Sequence, residues 1–476
     1  MCGIFGIYCD DFSYYVSEEI YQGLMALQHR GQLFAGISTS DCKGNFSSYK
    51  NRGLVSKVLN PKRLKTFFGN VGIGHICYNS RKCTSAGNAQ PYHFKSVMIE
   101  FSLAINGTIT NYDEIYKRLR SMGRIFSGNS DVELIATLIE TLSNFSESMV
   151  ETLKKVIKII KGALSLIILV NDGTIYAMKD SIGYNPLCYG TLKINNRKFF
   201  IISSESCGLD ALGATLKGEL NPGTILKISH SNGLEKHKTE VPENLKGICQ
   251  FEYVYFARPD SIIDGISVAD VRYNLGRNLA KMDDFQSKDA IVIPIPDSGR
   301  SAAMGYAWES GLTYQEGLMK NRYIWQIKSD VSDKLNPIKE IIKDKDIILV
   351  DDSIISGNTI KIIIEMIKKA GAKSVNVRIS CPPIIKNCKI NNSISNRELL
   401  IAYQTKVMNY SNFNEEMRKY IRSDTLMYQT INGLIDAIGL GTNKMCFDCL
   451  KEFCDVKEER ELDTQTILER MPYSLD

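Results

Sequence analysis

The stretch ILVDDSIISGNT, at residues Ile348–Thr359, decides the fold of the second half of the chain. Its apolar beginning predicts the end of a buried strand, and two carboxylates, Asp351 and Asp352, follow directly. The small residues that come next, up to Gly357, form a loop that opens a helix, and such a loop points backbone N–H groups at an anion. Because paired carboxylates can accept hydrogen bonds from two vicinal hydroxyls, the stretch predicts a sugar-phosphate site. The alternative is an acidic turn after a buried strand.

Strands and helices alternate around this stretch. Residues 290–295 and 346–350 are typical of buried strands, whereas residues 360–369 are typical of a helix, which Gly371 closes. Alternation of this kind predicts a parallel sheet with helices on its faces, an α/β domain.

The first half of the chain has a different pattern. It consists of short apolar segments, such as 97–101 and 165–170, separated by Gly, Asn and Ser turns. One helical stretch runs from Asp131 to about Ser143. Many strands with few helices predict stacked sheets, an α+β domain.

The length of 476 residues suggests two or three domains. Around residues 230–245 the composition becomes polar and charged, so we place one boundary there. The predicted domains are 1–235 and 236–476.

Composition excludes several classes of function. The chain has 58 basic and 53 acidic residues, and a net charge of +5 over this length is too dilute to predict nucleic-acid binding. It has no stretch of 18 or more apolar residues and no signal peptide, which predicts a cytoplasmic protein with no membrane partner. In that compartment, 13 cysteines favour catalytic or metal-binding roles over disulfides.

Cys2 is the first candidate nucleophile. Once Met1 is removed, its thiol lies beside a free α-amine with a pKa of about 7.7–8.0, a base poised near neutral pH. Position alone is weak evidence, but the first half also contains seven short motifs in a fixed order, the first of which includes Cys2. They are Met1–Ile7, Leu27–Gln32, Asn88–Pro91, Asn106–Gly107, Ser130–Asp131, Ser204–Cys207 and Pro222–Gly223.

With these motifs the first half resembles the class II glutamine amidotransferases, whose glutaminase domain is an N-terminal-nucleophile fold of two stacked sheets between helices. The resemblance implies that the Cys2 thiolate attacks the glutamine amide, releasing ammonia. It implies that Asn106 and the Gly107 N–H form the oxyanion hole, a term of about 3–4 kcal/mol for each donor. Asp131 would hold the α-ammonium of the substrate, and Arg30 corresponds to the arginine of this family near the nucleophile.

One position departs from that family. Its members usually read Gly-His-x-Arg-Tyr-Ser-Thr, and the arginine grips the glutamine α-carboxylate. Here residues 74–80 read GHICYNS, with Cys77 at the arginine position. Loss of such a clamp costs about 1.5–3 kcal/mol of charge-assisted hydrogen bonding. Arg81, four residues on, is a candidate replacement.

The stretch at 348–359 resembles the 5-phosphoribosyl-1-pyrophosphate (PRPP) signature of type I phosphoribosyltransferases. In that resemblance Asp351 and Asp352 bind the ribose hydroxyls. The loop with Ser353, Gly357 and Thr359 cradles the 5-phosphate.

Two upstream segments extend the phosphoribosyltransferase resemblance. Residues 296–301 match the pyrophosphate loop, where Ser298 would contact magnesium (Mg2+) together with the two aspartates. Lys320, in the segment KNRY, would supply positive charge to the phosphates. The lid that normally follows this segment is shortened here and lacks its arginine, which puts lid-coupled activation in doubt.

Together the two halves resemble the amidotransferases that open purine biosynthesis. The resemblance implies that ammonia from glutamine displaces pyrophosphate from PRPP and gives 5-phosphoribosylamine. It also implies purine nucleotide feedback inhibitors and a homo-oligomer. The alternative is a divergent paralogue with impaired glutaminase, ammonia-dependent or regulatory. Sugar-phosphate aminotransferases and asparagine synthetases share the first domain but lack the Asp351–Asp352 signature.

Cysteines near the C-terminus predict a metal site. Cys446 and Cys449 form a Cys-x-x-Cys pair, and the cluster-bearing branch of this family places its other two ligands where Cys249 and Cys388 stand. The resemblance implies a 4Fe-4S cluster. Zinc and unligated cysteines remain the alternatives.

Overall fold

The computed structural model describes residues 2–78, 89–241, 247–287, 289–321, 331–388, 390 and 410–450. Predictions that concern Arg81, the lid at 322–330 and Cys454 lie outside these residues. Within the described chain, no helix is long and apolar enough to cross a membrane.

The first half contains two antiparallel sheets. In chain order the strands are β1 (Gly3–Cys9), β2 (Phe34–Ser40), β3 (Phe46–Arg52), β4 (Val71–Cys77), β5 (Tyr92–Lys95), β6 (Glu100–Ile109), β7 (Gly162–Val170), β8 (Ile175–Lys179), β9 (Cys188–Ile194), β10 (Arg197–Ser203), β11 (Thr215–Glu219), β12 (Thr224–Ser229) and β13 (Gly233–Lys238). The strand order is β11-β9-β10-β1-β4-β2-β3 in one sheet and β13-β12-β8-β7-β6-β5 in the other.

Helices cover the outer face of each sheet. They are α1 (Ser17–Ala26), α2 (Val55–Val58), α3 (Pro61–Leu64), α4 (Tyr112–Ser121), α5 (Asp131–Ser143), α6 (Met149–Ile159) and α7 (Cys207–Asp210). The alternation of β1 shows how the layers form: Ile4 and Tyr8 pack between the sheets, whereas Phe5 packs outward against α1. The prediction of stacked sheets between helices is confirmed.

α5 begins and ends where its periodicity predicts. Ser130 is its N-cap and accepts a hydrogen bond from Glu133 N–H at 3.3 Å. All but the last of its residues are buried, because α5 lies between β6 on one side and α4 and α6 on the other.

The second half is built on a parallel sheet. Its strands, with the small hairpins, are β14 (Ile248–Cys249), β15 (Ile262–Ile263), β16 (Ile266–Ser267), β17 (Ile291–Pro294), β18 (Thr313–Tyr314), β19 (Leu318–Lys320), β20 (Leu335–Pro337), β21 (Asp346–Asp351), β22 (Ser374–Ile379), β23 (Thr425–Tyr428) and β24 (Met445–Cys446). Its helices are α8 (Val268–Met282), α9 (Arg300–Ser310), α10 (Val331–Lys334), α11 (Lys339–Ile342), α12 (Asn358–Lys369), α13 (Tyr410–Ile421) and α14 (Ile431–Ile438).

The parallel strands lie in the order β18-β17-β21-β22-β23, and both faces of the sheet are packed. Along β21, Ile347 and Leu349 belong to the apolar cluster on the α12 face, whereas Ile348 and Val350 belong to the cluster on the α9 face. A strand buried on both faces needs apolar residues at every position, which explains the continuous run in the sequence. The α/β prediction is confirmed.

Two features mark the junction, the start of the second half. A π-helical segment, Glu252–Phe256, follows β14, and β14 pairs in parallel with β24 near the end of the described chain. Cys249 lies opposite Cys446 in that pair.

One apolar segment of the first half is not a strand throughout. Val97 and Met98 are fully or largely exposed in the turn between β5 and β6, and β6 begins only at Glu100. A serine turn explains this: the Ser96 hydroxyl accepts hydrogen bonds from the backbone N–H groups of Met98 and Ile99.

Gly276 provides a stability test of the second half. A Cβ at this position of α8 would lie 1.8 Å from the carbonyl oxygen of Ala302 in α9, so Gly276→Ala must push the two helices apart. We expect a loss of about 1–3 kcal/mol in the free energy of unfolding, measured by denaturant titration. Gly247→Ala is the control, because its nearest neighbour lies at an ordinary 3.4 Å. Equal stability of the two variants would contradict the close helix packing.

Candidate functional site

Cys2 lies at the start of β1, beside β6 of the second sheet. Its backbone N–H donates to Asn106 Oδ1 at 2.9 Å. Asn106 is 1% exposed, and its Nδ2 has no hydrogen-bond partner among the described residues. A buried donor left unpaired costs about 1–3 kcal/mol, so an amide group of this kind suits a ligand oxygen.

Asn106 is itself held in place from behind. Asn185, 4% exposed, donates from Nδ2 to the backbone oxygen of Asn106 at 2.9 Å. The next residue, Gly107, has no room for a side chain, because a Cβ would lie 1.9 Å from the Ala163 oxygen. β6 can therefore hold Asn106 in this position only if the residue after it is a glycine.

Arg30 lies behind the nucleophile and is buried. Its Nε donates to the Cys2 backbone oxygen at 3.1 Å, and its other nitrogens bind Glu205 of the first half and Glu252 at the junction. The Glu252 contact is bidentate, at 2.8 and 3.1 Å. Burial alone would lower the pKa of Arg30, but the two carboxylates hold it well above its ordinary value.

Glu205 is the second member of this buried network. It accepts from His29 at 2.7 Å, from the Ser261 hydroxyl at 2.6 Å and from the Arg258 backbone N–H at 2.9 Å. Burial alone would raise the pKa of Glu205, but Arg30 and His29 hold it well below its ordinary value. Glu205 therefore stays ionised and connects residues from both halves of the chain.

Asp131 is the first residue of α5 and is 8% exposed. The loop before it is fixed by Glu133, whose carboxylate accepts from the backbone N–H groups of Ser127 at 2.6 Å and Gly128 at 2.9 Å. Asp131, the residue predicted to hold the substrate ammonium, thus lies at the first turn of a helix whose preceding loop is held in place by hydrogen bonds.

Cys77 lies at the end of β4. It is buried in a small cluster with Phe34 and Ala89, against which Cys2 packs. The position of the usual arginine is therefore occupied by an uncharged side chain next to the nucleophile.

A second site lies at the carboxyl ends of the parallel strands, around a cavity of about 370 Å³. The predicted residues that line it are Ser298, Asp351, Asp352, Ser353, Gly357 and Thr359. Tyr78 of the first half lines the same cavity, with Phe251 and Tyr255 of the junction. Residues of both halves therefore form one wall of the sugar-phosphate cavity.

The two aspartates at the end of β21 form an acidic pair, in which Asp352 is buried and Asp351 is half-buried. Asp351 Oδ1 accepts from the Asp352 N–H at 2.9 Å and from the Ser298 hydroxyl at 3.5 Å. Burial, and then the charge of Asp352, raise the pKa of Asp351 well above its ordinary value, and burial also raises the pKa of Asp352. Such a pair favours a bound cation or hydroxyl donors, either of which would stabilise the ionised form.

Lys320 is not among the residues that line the cavity. It lies on β19, where its Nζ pairs with Asp297 of the predicted pyrophosphate loop, and Arg300 pairs with the same carboxylate at 2.8 Å. The prediction of direct phosphate contact by Lys320 stays a prediction.

The four cysteines predicted as cluster ligands lie in one region of the fold, where Cys249 is opposite Cys446 in the β14–β24 pair. Burial raises the pKa of the Cys249 thiol well above its ordinary value, and the neighbouring Cys388, Cys446 and Cys449 raise it further. Burial and Cys388 likewise raise the pKa of Cys449 to about 12. In the same described residues, no group of three or more His, Cys, Asp or Glu side chains is close enough to hold a single metal ion.

Sequence reasoning assigned no role to three of the residues that build these sites. Glu205 and Glu252 lie inside motifs that the sequence displays, yet nothing local signals that both reach Arg30. Asn185 has no sequence signal, because its contact with Asn106 spans 79 positions.

Comparisons with known proteins agree with this architecture. A glutamine amidotransferase domain model matches residues 79–211, and a phosphoribosyl transferase domain model matches residues 273–394. An amidophosphoribosyltransferase of Methanocaldococcus jannaschii is 40% identical over 94% of this chain and 96% of its own length. That of Bacillus subtilis is 34% identical over 98% of this chain and 96% of its own length.

Solved structures give the same result. The glutamine PRPP amidotransferase from B. subtilis, complexed with ADP and GMP, has a TM-score of 0.84 at 33% identity and covers 95% of this chain and 97% of its own. A structure described as the allosteric regulatory enzyme of purine biosynthesis has a TM-score of 0.86 at 32% identity, over 95% and 96% of the two chains. Near-complete coverage at these identities shows that the chain belongs to the amidophosphoribosyltransferase family.

Proposed function

We propose that this chain takes ammonia from glutamine and transfers it to PRPP, forming 5-phosphoribosylamine, pyrophosphate and glutamate at the first step of purine biosynthesis. The observation that carries the proposal is the shared wall: Tyr78 follows the strand beside Cys2 and lines the cavity of Asp351 and Asp352. Ammonia released at the first site therefore has the second site next to it. No observation favours an ammonia-dependent or regulatory paralogue.

At the first site, the Cys2 thiolate attacks the side-chain carbonyl carbon of glutamine. The oxyanion that forms accepts hydrogen bonds from Asn106 Nδ2 and the Gly107 N–H. After removal of Met1, the α-amine of Cys2 would stay beside Asn106 Oδ1, where it can take the thiol proton. Ammonia leaves, and water then hydrolyses the thioester to glutamate. Asp131 holds the substrate ammonium throughout.

Arg30 acts on this chemistry as a positioning residue. Its hydrogen bonds with the described residues are to the Cys2 carbonyl and to two carboxylates, so it fixes the backbone of the nucleophile. Asn185 does the same for Asn106 from the opposite side.

At the second site, the chain binds the sugar phosphate at two points. Asp351 and Asp352 accept hydrogen bonds from the ribose hydroxyls. The loop with Ser353, Gly357 and Thr359 surrounds the 5-phosphate at the N-terminus of α12, where the helix dipole favours an anion. Ammonia then forms the bond to C1 as the bond to pyrophosphate breaks.

Ser298, Asp351 and Asp352 are the residues that would hold Mg2+, because an acidic pair next to a hydroxyl is an oxygen donor set that suits it. When bound, Mg2+ neutralises charge on the leaving pyrophosphate. The B. subtilis relative was solved with ADP and GMP. We therefore extend the proposal to purine nucleotides as inhibitors, whereas the homo-oligomer stays a prediction from the sequence resemblance.

The cysteine group supports a 4Fe-4S cluster. Its members come from the junction, from the segment after β22 and from the end of the described chain, so a cluster would fasten these three segments together. A cross-link over loops of this length stabilises by about 2–5 kcal/mol, by analogy with a disulfide.

The nucleophile is tested by Cys2→Ala. We expect glutamine-dependent pyrophosphate release to fall by roughly three orders of magnitude or more, since the attacking thiol is removed. Release with ammonium salts in place of glutamine should stay within about twofold of the unchanged chain. Cys42→Ala, in the turn after β2, is the matched control. Glutamine use by Cys2→Ala would show that the nucleophile lies elsewhere.

The sugar-phosphate site is tested by Asp352→Asn. The amide keeps the shape of the carboxylate but loses its charge, so half-saturation by PRPP should need about 10- to 100-fold more PRPP with either nitrogen donor. Asp344→Asn, just before β21 at the opposite end of the strand, should leave the PRPP requirement unchanged. An unaltered PRPP requirement in Asp352→Asn with ammonia would refute this role.

The cluster is tested by anaerobic purification. The protein should be brown and contain about four irons per chain. Cys446→Ser should lose iron and solubility together, whereas Cys42→Ser keeps both. Colourless anaerobic protein with one zinc, or with no metal, would overturn the cluster.

A further inference from the structure

We infer that Arg52 binds the α-carboxylate of glutamine, an assignment that rests on the glutaminase function proposed above. Glutamine carries a carboxylate beside its ammonium group, and with Asp131 on the ammonium the site still needs a cation. The position next to Cys2 on β4 cannot supply it, because Cys77 is uncharged and buried.

The strand register places Arg52 in one row with the nucleophile. Gly3 pairs with Ile76, which puts Cys2 opposite Cys77. Phe34 pairs with Cys77 on one side and with Arg52 on the other. Residues directly opposite each other in a sheet project to the same face, so the row runs across β1, β4, β2 and β3 on one face.

That face is the one turned toward the second sheet. Phe46 and Lys50 alternate with Arg52 along β3, at even spacing. Phe46 packs on the cluster between the sheets, and Lys50 Nζ donates to the Pro91 oxygen at 3.1 Å, next to β5. Arg52, two residues beyond Lys50, is therefore on the glutamine side of β3.

The distance suits glutamine. Neighbouring strands are about 4.8 Å apart, so three spacings separate the Cα atoms of Cys2 and Arg52 by about 14 Å. With bond lengths near 1.5 Å, glutamine extends about 6 Å from amide carbon to carboxylate, and an arginine about 7 Å from Cα to guanidinium. With the cysteine side chain and one hydrogen bond, these lengths cover the separation.

Three other cations near this end of the sheet have partners among the described residues. Arg30 is bound to Glu205 and Glu252, and Lys50 to Pro91. The Arg63 guanidinium lies 3.5 Å from the ring centroid of Tyr49, which belongs to the opposite face.

Arg52 is exposed and forms no ion pair or side-chain hydrogen bond with the described residues. Its backbone is fixed, since its N–H donates to Asn51 Oδ1 at 2.7 Å. A guanidinium offers two parallel donors to a carboxylate, so an arginine that has no partner in the described part of the chain can give both charge and direction.

The test compares L-glutamine with its α-carboxamide, which keeps the reacting amide but lacks the carboxylate. The readout is ammonia release by the full chain in the presence of PRPP. Arg52→Ala should lower kcat/KM for glutamine about 10- to 100-fold, mostly through KM, and leave the α-carboxamide within about twofold. Arg52→Lys should recover part of the loss, since lysine keeps the charge without the fork.

Lys43→Ala is the matched control. Lys43 lies in the turn at the opposite end of β2 and β3, and the substitution also removes one positive charge. Turnover with ammonium salts should be unchanged in every variant, which reports an intact second site. If Arg52→Ala lowers kcat/KM by the same factor for glutamine and for the α-carboxamide, or lowers neither, the assignment is wrong. The assignment is also wrong if Arg81→Ala, and not Arg52→Ala, lowers kcat/KM for glutamine without lowering it for the α-carboxamide. If the unchanged chain uses ammonium salts but not glutamine, the proposed function itself fails, and this assignment with it.

Discussion

The buried contact of Arg30 with Glu205 and Glu252 is the interaction on which the arrangement of this protein depends. All three side chains are at most 1% exposed, so none of the charges is solvated by water. Each is stable there only because its partners are present, and removing one partner from such a group typically costs about 3–5 kcal/mol. The residues come from positions 30, 205 and 252, so the contact holds the nucleophile, the end of the first half and the junction together. The same guanidinium holds the carbonyl of Cys2.

The site around Cys2 follows from this fixed point. With the Cys2 backbone held from behind, Asn106 can meet its N–H from the second sheet, and Asn185 sets the position of Asn106. Every one of these contacts joins residues far apart in sequence. The geometry of the nucleophile is thus a property of two stacked sheets and not of the N-terminal segment alone.

The parts that the sequence predicts are those with a local cause. The period of α5, the uninterrupted apolar run of β21 and the carboxylates after it all reflect burial or a turn within a few residues. The apolar composition of residues 97–101 predicts a buried segment, but it does not reveal the serine turn that exposes Val97. The partners of Arg30 and the shared wall at Tyr78 depend on tertiary packing, which no single stretch of sequence contains.

The pairing of β14 with β24 has a consequence for the order in which the protein is made. The strand at Ile248 leaves the ribosome long before its partner at Met445 exists. At synthesis rates of about 5–20 residues per second, the roughly 200 intervening residues take about 10–40 s. The first half has its full set of sheet partners by Lys238 and can fold during that interval. The junction strand and its cysteine must wait until the strand at Met445–Cys446 has been synthesised.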